Sequence, residues 1–320
     1  MGILDFLQKI LDPSAAPESA AAGQPSKPEA KPSEPPAISE EDAERWAEAA
    51  AERVIQETRI PLLRIELLEE PFSLFASHTG GLPYLPRGCV FPTDGAGQPM
   101  YFLAQINCED LCALPDYPHE GILQFWLCDQ WEEAKVTYHR EIDWSVTEDD
   151  VRSRCPQRTG DEFCSPLGMS CRMKFTPDEE SMSSCDPRQM ALYTQYYSEL
   201  SGERITSPWD SVQKRIVDIG YDCLCDENLG NGHKVGGYRY STQFWRGNCY
   251  DPARPVDLNA DDAPMLLFQL GSDYTYDYDN RCDKVIKVLW GDAGVGHFLI
   301  NRADLLAGRY EEAWFYWDCS

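Results

Sequence analysis

The sequence predicts an α+β fold, a β-rich body built from two tandem pseudo-repeats with a few peripheral helices. Three observations carry this expectation. One pattern occurs twice: a polar loop with paired glycines, then Pro-Met opening an apolar strand that ends in Gln, then further apolar strands. Apolar runs of strand length are separated by Gly, Pro and Asp clusters. Helical spacing is confined to isolated segments and does not alternate with the strands, which argues against a doubly wound sheet.

The first copy reads His78-Thr-Gly80-Gly81-Leu-Pro-Tyr84, then Pro99 through Gln105, then Gly121 through Leu127. The second reads His233-Lys-Val-Gly236-Gly237-Tyr-Arg-Tyr240, then Pro264 through Gln269, then Lys287 through Trp290 and His297 through Ile300. His78 and His233 open the two copies, and a shared packing role on the glycine turn is expected of them.

Ahead of the copies, Ile3, Leu4, Phe6, Leu7, Ile10 and Leu11 make residues 1–11 a short amphipathic helix. Pro, Ala and Ser make 12–38 a disordered linker. Residues 39–320 read as one domain, with repeat one at about 62–128, an intervening segment at 129–232 and repeat two at 233–320. Ser39 and Asp42 cap a helix whose buried face is Ala43, Trp46, Ala47, Ala50 and Val54, and Pro61 stops it. Strands are expected at 62–68, with Ile65 and Leu67 facing in, and at 100–106, 122–127 and 135–142. Residues 152–185 are polar and Cys-bearing and read as loop. Pro187 opens a helix running to Leu200, and 208–219 gives another, closed by Gly220 as a left-handed cap. After the second copy, Asn301 caps a short helix at 302–307, Gly308 ends it, and 314–319 is the last strand.

The formal net charge of the 320 residues is −26. So acidic a body repels phosphate backbones, which excludes nucleic acid and favours a basic protein as partner. No apolar run approaches the ~18 residues of a membrane span. The first residues lack the basic start of a secretory signal, so the 13 cysteines are expected as reduced thiols in the cytoplasm.

The motifs do not assemble a catalytic set, and neither a cofactor nor a metal is expected. No His-x-x-x-His, His-Glu-x-x-His, Gly-x-Ser-x-Gly or Cys-x-x-Cys is present. The paired glycines lack the Gly-Lys-Ser/Thr of a phosphate loop. In Trp290-Gly-Asp292-Ala-Gly294-Val-Gly296 the glycine spacing misses the dinucleotide fingerprint, so this is a turn with Asp292 at its tip, either structural or facing a ligand. Asp273, Asp277, Asp279 and Asp283 form an acidic loop threaded with Tyr274, Tyr276 and Tyr278. Arg281 and Val288 stand where a calcium loop needs ligands, so the loop is solvated or recognises a basic protein.

Residues from about Pro61 to Ser320 resemble the YwqG-like family of bacterial proteins. The likeness lies in Gly80-Gly-Leu-Pro-Tyr-Leu-Pro86, Phe102-Leu-Ala-Gln-Ile-Asn107, Gly121-Ile-Leu-Gln-Phe125, His233-Lys-Val-Gly-Gly-Tyr238, Trp290 through Gly296, and Trp317-Asp-Cys319. The resemblance implies a cytosolic α+β protein, brings no established activity, and points to bacterial toxin–immunity systems. The chain departs from the family at His78, where a Lys is usual, and at Arg239, where a Pro is usual. After Gln243 an insertion replaces a compact Gln-x-Asp-Pro-Arg.

The expected function is an acidic binding protein, an immunity protein neutralising a basic partner. Aromatic anchors and opposite charge favour tight, steered association. The expected binding residues are Tyr276, Asp277, Asp279, Trp290, Asp292 and His233. The rival expectation is a hydrolase or metal-dependent enzyme with Asp292 and His233 or His297 in a cleft between the repeats.

Overall fold

In the computed structural model the described residues are 39–156, 165–186, 188–205, 211–225, 230–243, 264–277 and 282–319. The expected helix at 1–11, the linker at 12–38 and the departure after Gln243 lie outside them. The described residues contain five α-helices: α1 (Glu40–Glu57), α2 (Glu148–Arg152), α3 (Arg188–Ser201), α4 (Ser211–Leu224) and α5 (Arg302–Ala307). Two compact units divide the chain, one comprising residues up to Glu57 with Pro187–Asp226, the other Thr58–Asp186 with Glu227–Ser320.

The first unit is helical and is made by α1, α3 and α4. Ser39 starts α1 as expected, its Oγ accepting from Asp42 N at 3.1 Å. Ala43, Ala47, Ala50, Ala51 and Val54 fall on one face of α1 and are buried with Tyr193, Tyr196, Tyr197, Ile216 and Ile219. The alanines leave room for the tyrosine rings, which supply most of the apolar area. Arg53 binds Glu57 at 2.8 Å and Glu199 at 2.6 Å, and its guanidinium lies 3.9 Å from the Tyr196 ring centre. Gly220 does not end a helix, because α4 runs on to Leu224. A Cβ at Gly220 would collide with the Tyr193 ring, so this glycine serves close helix packing.

Among the described residues the second unit holds twelve strands: β1 (Ile60–Leu68), β2 (His78–Thr79), β3 (Tyr101–Asn107), β4 (Ile122–Leu127), β5 (Ala134–His139), β6 (Cys171–Glu180), β7 (His233–Gly236), β8 (Pro264–Gly271), β9 (Asp273–Asp277), β10 (Cys282–Val288), β11 (Val295–Asn301) and β12 (Trp314–Asp318). Ten form one sheet in the order β12-β11-β8-β7-β1-β6-β2-β3-β4-β5, while β9 and β10 form a separate two-stranded ribbon. The pairings within both sheets are antiparallel. The large sheet curls until its edges almost meet. Trp131, ahead of β5, stands edge-on to Trp317 of β12 with ring centres 4.9 Å apart. The result is a nearly closed, barrel-like sheet, which leaves little of either edge open.

Its core gathers one face of the strands, and β4 is buried on its other face as well. Leu63, Ile65 and Leu67 of β1 point inward with Phe125 of β4, Phe268 of β8 and Phe298 of β11. The Phe125 ring lies 4.7 Å from Phe268 and 4.8 Å from Phe298. Each such side chain contributes roughly 1.5–3 kcal/mol by leaving water. Residues 152–185, expected as loop, contain β6, the ten-residue strand that pairs with β1 from Ile60↔Glu180 to Leu68↔Arg172. Its apolar alternation, Cys171, Met173 and Phe175, is short. Pro177 and the acidic run behind it hide the rest of the strand from a propensity reading.

Candidate functional site

The two glycine turns are held by the same hydrogen bonds. Gln105 in β3 accepts from Tyr84 N at 2.9 Å and donates to Leu74 O and Ala76 O at 2.8 and 2.9 Å. Gln269 in β8 accepts from Tyr240 N at 2.9 Å and donates to Gly230 O and Gly232 O at 2.8 and 2.9 Å. Both amides are fully buried and saturated, which is what a polar group closed off from water requires. Gly80 and Gly81 have φ of 58° and 71°, and Gly236 and Gly237 have 74° and 71°. Two successive left-handed residues turn the chain toward the glutamine, and glycine takes that conformation without strain.

The register corrects one expectation. His78 lies opposite Gln105, and the residue opposite Gln269 is Lys234, not His233. Beside the first turn, the His78 ring stacks on Phe72 at 4.3 Å. Beside the second, the Lys234 ammonium donates to Glu180 Oε1 at 2.5 Å and to Tyr238 O. Glu180 Oε1 also accepts from Tyr238 N at 2.6 Å, and Arg64 lies 3.8 Å from Glu180 Oε2. Burial pushes the Lys234 ammonium down to about 8 from its usual 10.5, against the attraction of Glu180. A neutral ring pair occupies one place and a buried ion pair the other.

Further buried polar groups surround the second turn. Asp318 accepts from Ser241 Oγ, from Thr242 N at 3.1 Å and from Thr242 Oγ1 at 3.0 Å, which ties β12 to the chain leaving the turn. His297 in β11 points Nδ1 at Tyr316 O, 3.2 Å away. Burial pushes His297 down to about 3, with the Arg239 guanidinium next in effect, so its imidazole is neutral. Lys234, Glu180, Arg239, Asp318 and His297 are all under 9% exposed. Among the described residues no group of three His, Cys, Asp or Glu side chains could hold a metal ion.

The residues singled out in the sequence lie in three settings. Tyr276 and Asp277 are in β9, and Tyr274 and Tyr276 are 37% and 42% exposed. Asp279 is outside the described residues. His233 stands at the base of this ribbon. Its Nδ1 accepts from Gly271 N at 3.2 Å, so Nε2 carries the hydrogen and faces Asp273 Oδ2 at 3.5 Å. Lys287 Nζ lies 3.6 Å from the same oxygen and donates to Leu67 O at 3.0 Å. His233 is the main cause holding the Asp273 carboxyl below its usual range, against partial burial. With both nitrogens engaged, His233 clasps β7 to β9 and leaves no lone pair for general-base work.

Trp290 is not a surface anchor. Its side chain is 0% exposed and packs edge-on against Trp131 at 5.1 Å and beside Phe315 at 5.6 Å. The glycines after it serve this packing. A Cβ at Gly294 would strike the Asp318 carbonyl, and one at Gly296 would come within 2.6 Å of the Trp290 indole. Asp292 is exposed in the turn that follows. Ser272 joins this turn to the ribbon, donating to Gly294 O at 2.8 Å and accepting from Trp290 N at 3.0 Å. His233, β9 and the Asp292 turn are therefore linked through Asp273 and Ser272. The buried pair Lys234 and Glu180 was missed in sequence, since 54 residues separate the partners and no motif marks them.

Residues 77–319 match the family described as Domain of unknown function (DUF1963). The match covers most of the chain, and the protein belongs to that family. No curated protein matches it. Among the described residues no helix is long and apolar enough to cross a membrane.

Proposed function

We propose that the protein binds a basic protein partner through the β9–β10 ribbon and the adjoining Asp292 turn. The observation that carries this is the pair Tyr274 and Tyr276, both more than a third exposed on a ribbon clasped at its base by His233, Asp273 and Lys287. Exposed tyrosines on a rigid support make good anchors, because little side-chain freedom is lost on binding. A net charge of −26 steers a basic partner toward them. In this reading the chain is a YwqG-like cytoplasmic protein whose partner is a basic toxin such as a nuclease. The matching bonds of Gln105 and Gln269 favour a duplicated body in which the second copy diverged toward binding.

A tagged chain in its native host tests this. The wild type should retain a basic protein that is released by salt and lost with Y274A/Y276A. Retention of the same proteins by the double variant sinks the proposal.

The second reading, a hydrolase or metal-dependent enzyme with a cleft between the repeats, draws on the buried charges Lys234, Glu180 and Arg239, since perturbed groups gather at functional sites. It must dispense with His233 as a base. Turnover of an ester or phosphoester substrate that disappears in Lys234→Met, with folding intact, would favour it.

A further inference from the structure

Going beyond the ribbon, we propose that Trp144 anchors a second docking surface, one that takes an arginine or lysine side chain of a protein partner. Trp144 is 61% exposed, more than any other aromatic side chain among the described residues. Its ring lies against Phe75 with centres 4.8 Å apart, and Phe75 lies 5.4 Å from the buried Tyr84 ring. The chain on either side of the indole is fastened. Asp143 N donates to Tyr84 Oη at 2.7 Å, and Asp143 O accepts from Val146 N at 3.1 Å. Ser145 N donates to Asp143 Oδ1 at 3.0 Å, and Ser145 O accepts from Arg87 Nη2 at 3.1 Å. Val146 is buried in the cluster that holds Tyr84 and Trp126. A lone exposed apolar side chain needs no explanation. A tryptophan set on a second ring, with both neighbours tied down, is an interface anchor that loses little freedom when a partner covers it.

Charge decides what covers the ring. From Glu141 to Val151 the chain carries five carboxylates, Glu141, Asp143, Glu148, Asp149 and Asp150, and no lysine or arginine. Asp150 caps α2 through Thr147, and Glu148 pairs with Arg152. Arg87, beside Ser145, is taken up by Ser145 and Asp150. Asp143 adjoins the indole in the chain. Hydrogen bonds from Ser145 hold its carboxyl below the usual carboxylate range, so it is ionised at neutral pH. Both bonds fall on Oδ1, which leaves Oδ2 for a guest. The two groups suit one cation, since the indole face attracts it and Asp143 Oδ2 accepts from it. A second copy of this chain is a poor occupant, because each copy carries −26 and would bring its own carboxylates. An anionic membrane surface is repelled for the same reason.

The test uses the full chain labelled with 5-fluorotryptophan. Of the resonances from its nine tryptophans, the one missing in Trp144→Ala belongs to Trp144. The probe is a short peptide alternating glycine with arginine. Its citrulline counterpart keeps the planar head group and loses the charge. The arginine peptide should move the Trp144 resonance. Binding should weaken at least about tenfold with citrulline, and should fall with Asp143→Asn, which retains the oxygen that Ser145 bonds. No movement of that resonance, or binding left unchanged by citrulline or by Asp143→Asn, overturns the proposal. A malto-oligosaccharide or an anionic vesicle that moves the resonance where the arginine peptide does not would overturn it in favour of sugar or lipid. Y274A/Y276A protein should give the same Trp144 response as the wild type, so this surface and the ribbon stand or fall separately.

Discussion

Lys234 and Glu180 neutralise each other where water does not reach: their side chains are 0% and 1% exposed and the ammonium lies 2.5 Å from the carboxylate. Taking two charges out of water costs several kcal/mol per ion, and mutual attraction returns it only while both partners are present. Glu180→Ala should therefore cost about 3–5 kcal/mol. The double change Lys234→Met with Glu180→Leu should recover most of that loss. Urea unfolding of the three proteins would show it, and a double variant as weak as the single one would contradict this account.

Stability should fall on acidification through two histidines. Burial, the largest cause at each, pushes His78 down to about 4 and His297 down to about 3, from an ordinary 6.5. Between those values and 6.5 the unfolded chain binds more protons than the folded one, so stability rises with pH across that window and is fully present above it. Each site should remove on the order of 3 kcal/mol or more once the pH is below its folded value. His297→Gln places at this position the side chain that Gln124 has opposite Gln105. Unfolding midpoints measured from pH ~4 to pH ~8 should trace a flatter curve for this variant.

The buried glutamines should be equally intolerant of change. Gln269→Leu removes three hydrogen bonds and Gln105→Leu four, the fourth being donated by Gln124 Nε2, and either leaves a backbone N–H and two carbonyls facing an apolar group. Each unsatisfied group costs about 1–3 kcal/mol, so a loss of roughly 3 kcal/mol or more is expected for either variant. Thermal melts of both should drop together. A large effect at one and none at the other would show that the two turns are not held alike.

Gly294 in the Trp290 turn and Gly88 ahead of β3 should separate steric from conformational cost. Gly294→Ala drives a methyl into the Asp318 carbonyl and should cost more than about 2 kcal/mol. Gly88→Ala meets open space but inherits a φ of +82°, and should cost about 1 kcal/mol. Denaturant midpoints for the two variants, compared side by side, should keep that order.

Local signals reported local structure well. The capping pair Ser39 and Asp42 starts α1, Gly308 ends α5 with a φ of 70°, and the apolar run at 122–127 is β4. What depends on distant partners was not legible. β6 is a strand because β1 and β2 flank it, and its own residues, with Pro177 and three carboxylates following, give weak local instruction. The matching of His78 with His233 slipped by one residue, and in a strand one residue reverses the face. His233 thus clasps the ribbon while its neighbour Lys234 enters the buried ion pair. Trp290 drew notice for its glycines, yet those glycines are there to let the indole be buried.

β1 stands between β7 and β6, yet the stretch matched to the family begins at residue 77, after β1 has ended at Leu68. A fragment cut to that stretch would be a barrel with a missing stave, its two inner strands left with raw edges that invite aggregation. Synthesis meets the same gap in time. β1 leaves the ribosome first and waits more than 100 residues for β6 and longer still for β7, with Leu62, Leu63, Ile65 and Leu67 uncovered. Until those partners arrive, the apolar face of β1 is open to aggregation.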